Sequence, residues 1–337
     1  MTATTVYFAT NRRPDPAAPG GYGADLVGAG DLATYAVVPV SGINLADESS
    51  GVLGVVTEAT PGQFAGTVGA EIGASGRNLL VFIHGFDNSF EDAIKRSAFN
   101  REWFAASGLA AANTTVVAFT WPSAGTLFDN LPNLPDKAYK EDQRKAGASA
   151  THLAPFLRVL QPFAAQVRHA GGRAFLLAHS MGNHALSRAV ASLFAGPGAP
   201  TTPTFDEAIL AAADEVDTTL ETASADMFRL RSLATRISVY SSVRDVAMGL
   251  SIGVNGNFRL GYTGPAGKAN AAAYPHAQFR SVDCTGVFDF HGLVPPDATH
   301  QYYRRSKAVR ADIAALMAGG PVAPGVSALA ALPFGGV

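Results

Sequence analysis

The segment that most constrains this chain is an apolar run that stops at a serine between small residues, AFLLAHSMGNHAL at positions 174–186. The residues before Ser180 are typical of a buried strand, and a helical pattern begins directly after it. A chain that doubles back between a strand and a helix has little room for side chains two positions before and after the turn, which suits Ala178 and Gly182. The segment therefore predicts a strand, a tight turn and a helix that present the Ser180 hydroxyl at the carboxyl edge of a sheet.

Short β-rich runs alternate with longer helical patterns along the rest of the chain. This alternation is typical of a mostly parallel central sheet with helices on both faces. We predict strands at residues 6–10, 35–40, 79–83, 115–120, 208–213, 236–241 and 279–282, and the main helices at 90–107, 141–169 and 303–318. No repeat or linker divides the chain, so the prediction is an α/β fold in a single domain over residues 1–318.

Proline and glycine mark the segments that we expect to be irregular. We interpret residues 11–34 and 253–273 as loops and residues 123–138 as a loop or small lid, with breaks or kinks at Pro155 and Pro162 in the long helix. Residues 319–337 are uncharged, but their prolines and glycines would interrupt a membrane-spanning helix repeatedly. We therefore predict an irregular apolar tail there and no membrane span.

Charge and cysteine content exclude several classes of protein. The formal net charge is −2 and no dense block of Lys and Arg occurs, which argues against binding to nucleic acid or to an anionic membrane. Cys284 is the only cysteine, which excludes an internal disulfide and a cysteine-based zinc site. Residues 1–10 have neither a basic start nor a long apolar run, so we expect no secretory signal and a cytoplasmic location.

A serine hydroxyl is a weak nucleophile at neutral pH, so it needs a histidine base and a carboxylate that orients this base. In folds with this element order the carboxylate follows the nucleophile in the chain and the histidine comes last. We predict Asp245 as the acid, because it follows the second strand after Ser180. Asp214 and Asp217, one strand earlier, are the alternatives, and Asp245 could instead cap a helix that begins near Val246.

We predict His300 as the base, because it lies after the last predicted strand and just before the last helix. His291 is close enough in sequence to compete for this role. His276 lies in a looser glycine- and alanine-rich segment and is the third candidate. The choice between His300 and His291 stays open at this point.

The sequence also offers backbone donors for the negative oxygen that forms during acyl transfer. The N–H groups of Phe86, in the turn after strand 79–83, and of Met181, at the start of the nucleophile helix, are the expected oxyanion hole. Other residues near these turns are candidates for contact with the substrate, the histidines among them as packing or hydrogen-bonding supports rather than bases: His84, Gly85, Trp121 and His179.

Three motifs, VFIHGF at 81–86, FTWPS at 119–123 and LAHSMGN at 177–183, resemble a family of mostly bacterial α/β-hydrolases of unknown function, loosely grouped with esterases and lipases. The resemblance extends from Thr4 to about Tyr303. It implies an α/β-hydrolase fold and a serine nucleophile, and it leaves the substrate open. Further positions that match the family's pattern are residues 10–12, Tyr139, Asp142, Ser149, Asp214 and residues 240–245.

Together these features predict a serine hydrolase, and first of all a carboxylic ester hydrolase of esterase or lipase type that forms an acyl-enzyme. The same three side chains would also serve a thioesterase, an amidase, a polyester depolymerase or an acyltransferase. A non-catalytic binding module on this fold is the remaining alternative. We expect a small-molecule ester as the partner and neither a metal nor a cofactor, and the sequence indicates no particular oligomeric state.

Overall fold

The computed structural model of the chain describes residues 3–75, 78–123, 136–287, 299–320 and 325–330. Its strands are β1 (Thr4–Thr10), β2 (Arg12–Pro14), β3 (Tyr22–Leu26), β4 (Thr34–Ser41), β5 (Val52–Leu53), β6 (Thr57–Ala59), β7 (Asn78–Ile83), β8 (Thr114–Thr120), β9 (Ala174–His179), β10 (Phe205–Ala211), β11 (Ala234–Ser241), β12 (Phe279–Gly286) and β13 (Gly325–Ala330). Its helices are α1 (Pro61–Ser75), α2 (Phe90–Ala105), α3 (Asp136–Ala148), α4 (Ala150–His169), α5 (Gly182–Ala195), α6 (Leu230–Leu233), α7 (Val246–Asn255), α8 (Leu260–Thr263), α9 (Tyr302–Arg305) and α10 (Lys307–Met317).

One large sheet organises these elements, in the order β13-β12-β11-β10-β9-β7-β8-β1-β4-β5, with β6 also paired to β4. The strands from β13 to β1 run parallel, and β4 pairs antiparallel with β1, β5 and β6. Parallel strands place all their carboxyl ends at one edge, where a ligand site in such a sheet normally forms. The loops that follow β7, β9, β10 and β11 therefore lie side by side.

Alternate residues of the central strands pack against opposite layers of helices. On β7, Leu79, Val81 and Ile83 belong to the apolar cluster that includes residues of α4 and α5. Leu80 and Phe82 belong to the cluster on the other face, with residues of α2 and α10. Because both faces are covered, the strands are continuously apolar rather than alternating. The predicted fold class, a mostly parallel sheet with helices on both faces, is confirmed.

The structure differs from the predicted elements in several loops. The predicted loop 11–34 contains the antiparallel pair β2–β3, and the predicted loop 253–273 contains α8. The predicted long helix 141–169 is divided at Ser149 into α3 and α4, and α4 runs through Pro155 and Pro162 without the expected break. The last helix is divided at Ser306, whose side chain accepts from the Val309 N–H and caps α10.

Part of the C-terminal tail is regular, where the sequence predicted irregular chain. Residues 325–330 form the edge strand β13, which pairs parallel with β12. This pairing is a tertiary interaction, and residues 325–330 show no periodic pattern of charged or apolar residues from which a strand could be predicted. Three predicted parts lie outside the described residues: 124–135 of the lid, His291, and 321–324 and 331–337 of the tail. Within the described ranges, no helix combines the length and apolar character needed to cross a lipid bilayer.

Candidate active site

The turn at Ser180 joins β9 directly to α5. Ser180 has a backbone φ of 53°, in the left-handed region that residues with a side chain rarely adopt. Hydrogen bonds to neighbouring strands hold it there: the Ser180 N–H donates to Ala211 O at 3.0 Å, and the Asp214 N–H donates to Ser180 O at 3.1 Å. Only 5% of Ser180 is exposed, so the turn is recessed in the carboxyl edge and not raised above it.

Two glycines allow the Ser180 turn to approach the loop after β7. A Cβ atom on Gly182 would lie 2.4 Å from His84 O and 2.7 Å from Ile83 O. A Cβ atom on Gly85 would lie 2.7 Å from the Ser180 Cβ atom. The close packing of the two turns therefore requires glycine at both positions.

The structure brings Asp245 and His300 together. His300 Nδ1 lies 2.8 Å from Asp245 Oδ2 and 3.0 Å from Oδ1. The alternative function considered for Asp245 is present as well, since its Oδ1 accepts from the Met248 N–H at 3.0 Å and caps α7. Burial raises the pKa of the Asp245 carboxyl, while His300 and the Met248 N–H oppose this shift. A carboxylate opposite Nδ1 assigns the proton to Nδ1, so Nε2 is the basic nitrogen of the neutral ring.

His179 connects this pair to the Ser180 turn. Its Nε2 lies 3.2 Å from His300 O, and its ring lies 4.6 Å from the His300 ring between their centroids. On its other side the His179 ring packs 4.7 Å from that of Tyr303. Burial lowers the pKa of His179 far below its usual value, so the ring is neutral and its Nε2–H donates to the His300 carbonyl. His300 is thereby held beside the residue that immediately precedes Ser180.

The rival acids have other contacts. The Asp214 carboxylate is buried and accepts from Tyr139 Oη at 2.6 Å and from Ser251 Oγ, and it lies 3.4 Å from Arg259 Nε. Asp217 is partly buried, which raises the pKa of its carboxyl. The structure pairs neither of these carboxylates with His300.

Of the rival bases, His276 is exposed and lies against Gly325, at the amino end of β13. This is the edge of the sheet opposite to Asp245, which follows the carboxyl end of β11. His291 lies outside the described residues.

The Phe86 and Met181 N–H groups donate no hydrogen bond to any residue in the described ranges. The carbonyl groups beside Phe86 are held by Asn88, whose Nδ2 donates to Gly85 O at 3.1 Å and to Phe86 O at 2.7 Å. Asn88 O in turn accepts from Arg12 Nη2 at 2.7 Å. The loop after β7 is thus fixed while the Phe86 amide stays available to a ligand.

His84 and Trp121 form a buried stacked pair, here called the brace, that packs against this loop. Their rings stack at 5.2 Å with an angle of 3° between the planes. The Trp121 N–H donates to His84 Nε2 at 3.0 Å, and Trp121 Nε1 donates to His84 O at 2.9 Å. His84 Nδ1, which carries the proton in this arrangement, lies 2.8 Å from Gly85 O. Burial lowers the pKa of His84 far below its usual value, so the brace is neutral.

The sequence proposed His84, Gly85, Trp121 and His179 for contact with the substrate. The structure buries all four, and Trp121 has no exposed surface. The polar atoms of the two histidines and of the tryptophan bond to neighbouring backbone instead. These contacts agree with the expected supporting role of the two histidines, while contact of the four residues with a substrate stays a prediction.

Several buried polar residues near the site had been marked only by family resemblance. Arg12 Nε donates to Thr120 Oγ1 at 3.1 Å, and Ser123 Oγ donates to Asp142 Oδ2 at 2.9 Å. The Asn88 N–H donates to Ser123 Oγ at 3.2 Å, which ties the loops after β7 and β8 together. Burial lowers the pKa of Arg12 to about 9, against the opposing effect of Asp142 and Asp92. The residues of this network lie far apart in the chain. The sequence therefore shows only their polar residue types and not that they contact one another.

Among the described residues, no group of three or more His, Cys, Asp or Glu side chains is arranged to hold a metal ion. The groups at the carboxyl edge are instead a serine on a strained turn, a histidine–carboxylate pair and two backbone N–H groups that donate no hydrogen bond to any described residue. Groups of these kinds serve acyl transfer through a serine. In the part of the chain that the structure describes, His300 bonds to Asp245 and no hydrogen bond joins its side chain to that of Ser180.

The family model described as "Alpha/beta hydrolase of unknown function (DUF900)" matches residues 66–315. The chain belongs to this family. The match includes the loops after β7, β8, β9, β10 and β11 and the segment that carries His300. As a member of this hydrolase family, the chain has a fold in which hydrolytic activity is expected, while the family description names no substrate.

Two solved structures match this α/β-hydrolase at low similarity. The product of the gene lin2722 from Listeria innocua is 11% identical with a TM-score of 0.34, and covers 75% of this chain and 98% of its own. The peroxisomal alpha-beta-hydrolase Lpx1 from Saccharomyces cerevisiae is 12% identical with a TM-score of 0.32, and covers 95% of this chain and 90% of its own. No curated protein matches the sequence.

Proposed function

We propose that this protein is a serine hydrolase that cleaves carboxylic esters, with Ser180 as nucleophile, His300 as base and Asp245 as the acid that orients it. The observation that carries this proposal is the left-handed φ of 53° at Ser180, on a turn adjoining the buried His300–Asp245 pair. Strained backbone at a serine is uncommon unless the surrounding structure enforces it, and such strain concentrates at functional sites. The family and the fold support a hydrolase, and the arrangement of these side chains favours a serine mechanism.

In the proposed cycle Ser180 Oγ attacks the ester carbonyl carbon, and its proton passes to His300 Nε2. The imidazolium that forms is stabilised by the Asp245 carboxylate at Nδ1, which does not take the proton itself. Collapse of the tetrahedral intermediate breaks the bond to the alcohol, which leaves with the proton from His300. Water then attacks the acyl-enzyme, His300 accepts the proton of the water and returns it to Ser180 Oγ, and the carboxylic acid is released.

The negative oxygen of each tetrahedral intermediate would accept from the Phe86 and Met181 N–H groups. Both donors belong to turns that are held by other contacts, so they need little reorganisation when the charge forms. Met181 also precedes α5, and the amino end of a helix favours negative charge. Loss of one such donor typically reduces turnover by about 10²–10³-fold.

The direct test is hydrolysis of p-nitrophenyl acetate and butyrate by the wild type and by Ser180→Ala. We expect the variant to lose about 10⁴-fold or more in kcat, whereas Ser224→Ala, at an exposed loop position, keeps the wild-type rate. Asp245→Asn should lose about 10³–10⁴-fold and Asp217→Asn should not. A fluorophosphonate probe should label one peptide of the wild type, the one that contains Ser180. Wild-type turnover in Ser180→Ala would show that another residue is the nucleophile.

A further inference from the structure

Arg259 is a buried cation whose hydrogen bonding is incomplete. Only 5% of the residue is exposed, and its Nε donates to Ser251 Oγ at 3.0 Å and lies 3.4 Å from Asp214 Oδ1. Its two terminal amino groups donate no hydrogen bond to any residue of the described ranges, although a guanidinium carries four N–H donors there. The two terminal amino groups are not fully enclosed, so a ligand can reach their four N–H donors.

Asp214, which this guanidinium contacts, also bonds to the backbone of the proposed nucleophile. The backbone after Arg259 pairs with the loop that follows β10, through Leu260 N–H to Glu215 O at 2.7 Å and Gly261 N–H to Ala213 O at 2.8 Å. In the same loop the Asp214 N–H donates to Ser180 O. Arg259 is thus two polar contacts from the backbone of Ser180.

A second connection links Arg259 to the proposed oxyanion hole. Tyr139 donates to the same Asp214 carboxylate, and its ring lies 6.1 Å from the Phe86 ring. Asp214 therefore joins Arg259, Tyr139 and the Ser180 turn in one buried cluster.

The chemistry of this cluster selects an anion. Each Asp214 oxygen accepts from a neighbouring hydroxyl, one from Ser251 Oγ and the other from Tyr139 Oη, whereas the terminal amino groups of Arg259 have no acceptor among the described residues. The contacts at Nε fix the plane of the Arg259 guanidinium. What remains is a planar fork of N–H groups, the geometry that binds a carboxylate through two parallel hydrogen bonds.

We propose that Arg259 binds a free carboxylate on the substrate, so that this hydrolase acts on half-esters of dicarboxylic acids and similar anionic esters. This inference rests on the proposed function, since it places the carboxylate relative to an ester carbonyl at Ser180. Asp214 and Ser251 act as positioning residues for the guanidinium.

The test compares mono-p-nitrophenyl glutarate, which ends in a carboxylate, with p-nitrophenyl pentanoate, which has a methyl group in its place. We expect the wild type to prefer the half-ester by about 10- to 100-fold in kcat/KM, the usual effect of a charged hydrogen-bonded pair. Arg259→Lys keeps a positive charge beside Asp214 but lacks the planar pair of terminal amino groups. Its preference for the half-ester should be about tenfold smaller than that of the wild type. Arg259→Met should abolish it. Equal rates on both esters, or a preference for pentanoate, would overturn the inference.

The control is Arg144→Met, which removes an arginine with 63% of its side chain exposed and should leave the preference unchanged. Binding of the glutarate dianion, measured by calorimetry, does not depend on turnover. Glutarate should bind Arg259→Lys about tenfold more weakly than the wild type. If glutarate does not bind to the wild type at all, the proposal is wrong. If the wild type cleaves neither ester, the proposed function fails, and the calorimetry still decides the anion site. If it cleaves both equally, only the anion site fails.

Discussion

At the scale of single residues, backbone strain is concentrated around the candidate site. Among the described residues, the non-glycine positions with positive φ are Asp87 at 58°, Ser180 at 53° and Ala212 at 46°. They follow β7, β9 and β10, three neighbouring strands, at the same edge of the sheet. Each such residue costs about 1–3 kcal/mol, which the surrounding structure must offset. For Ala212 the compensation is visible, since its N–H donates to Tyr240 O and Tyr302 Oη.

The contact between the two turns predicts a strong effect of one added methyl group. Gly182→Ala should be destabilised by about 1–3 kcal/mol, because its Cβ atom would meet backbone atoms at 2.4 Å and 2.7 Å, which are not free to move as a side chain is. Ester hydrolysis should fall as well, because the His84–Phe86 turn must shift. Urea denaturation and the p-nitrophenyl ester assay measure the two effects.

The matched control is Gly66→Ala, at a helical position of α1 where an added Cβ atom has nothing within 4 Å. This variant should be as stable as the wild type or up to about 1 kcal/mol more stable, because alanine is the better helix former. If the two alanine variants had the same stability, close packing at Gly182 would not be the reason for glycine there.

At the scale of elements, each part of the candidate site comes from a different β–α connection. The loop after β7 carries Phe86, the turn after β9 carries Ser180 and Met181, and the loop after β11 carries Asp245. Asp245 also begins α7, so its carboxylate position is set both by the helix and by His300. The site is therefore as rigid as the helices that begin there. The layer behind it includes α4, which packs against α5 and β9.

The continuity of α4 predicts a gain in stability from removing a proline. Pro155 is exposed on the solvent face of this helix and, without an N–H, cannot bond to the Thr151 carbonyl. Pro155→Ala should stabilise the protein by about 1–2 kcal/mol. The gain comes from the higher helix propensity of alanine, and it is reduced because alanine, unlike proline, leaves the unfolded chain its full conformational entropy. Thermal and urea unfolding measure this change.

Pro61→Ala provides the comparison, because Pro61 is the first residue of α1, where proline is favourable. It should leave stability unchanged or lower it slightly. A destabilised Pro155→Ala would mean that the shape of α4 at this proline contributes to its packing on the sheet.

At the scale of the whole molecule, buried ion pairs connect segments that are far apart in the chain. Glu48, between β4 and β5, accepts from Arg304 Nη2 at 3.2 Å and from Arg305 Nε at 3.1 Å, a few residues after His300. Burial by itself would raise the pKa of the Glu48 carboxyl, but Arg304, Arg305 and Arg96 together lower it from 4.5 to about 2. The contact joins the N-terminal part of the sheet to the segment that carries His300.

This pair predicts a loss of stability in acid. Because the pKa of Glu48 is lower in the folded protein than in the unfolded chain, its contribution is complete above about pH 5 and is lost as the pH falls towards 2. Glu48→Gln should be less stable than the wild type by about 3 kcal/mol at pH 6, and this difference should shrink steadily between pH 5 and pH 3. Urea denaturation across this range measures it.

Glu141→Gln is the control, since Glu141 forms only an exposed pair with Arg144 on α3. Its stability should follow the wild type closely at every pH, because such surface pairs contribute little. A difference between Glu48→Gln and the wild type that does not change with pH would show that the Glu48 charge is not what stabilises this contact.

The sequence by itself determined those features of the fold and of the candidate site that depend on local patterns of residues. Apolar runs predicted the central strands, and the small residues around Ser180 predicted its turn, because a buried strand and a crowded turn each restrict the residue types at their own positions. Element order led to Asp245 and His300, since parallel strands bring successive loops to the same edge. Only the tertiary structure decided which polar groups meet: His179 with the His300 carbonyl, Trp121 with His84, and Arg259 with Asp214. It also decided that β13 pairs with β12. These contacts join residues whose separation in the chain bears no relation to a helical or strand period, so they leave no pattern in the sequence.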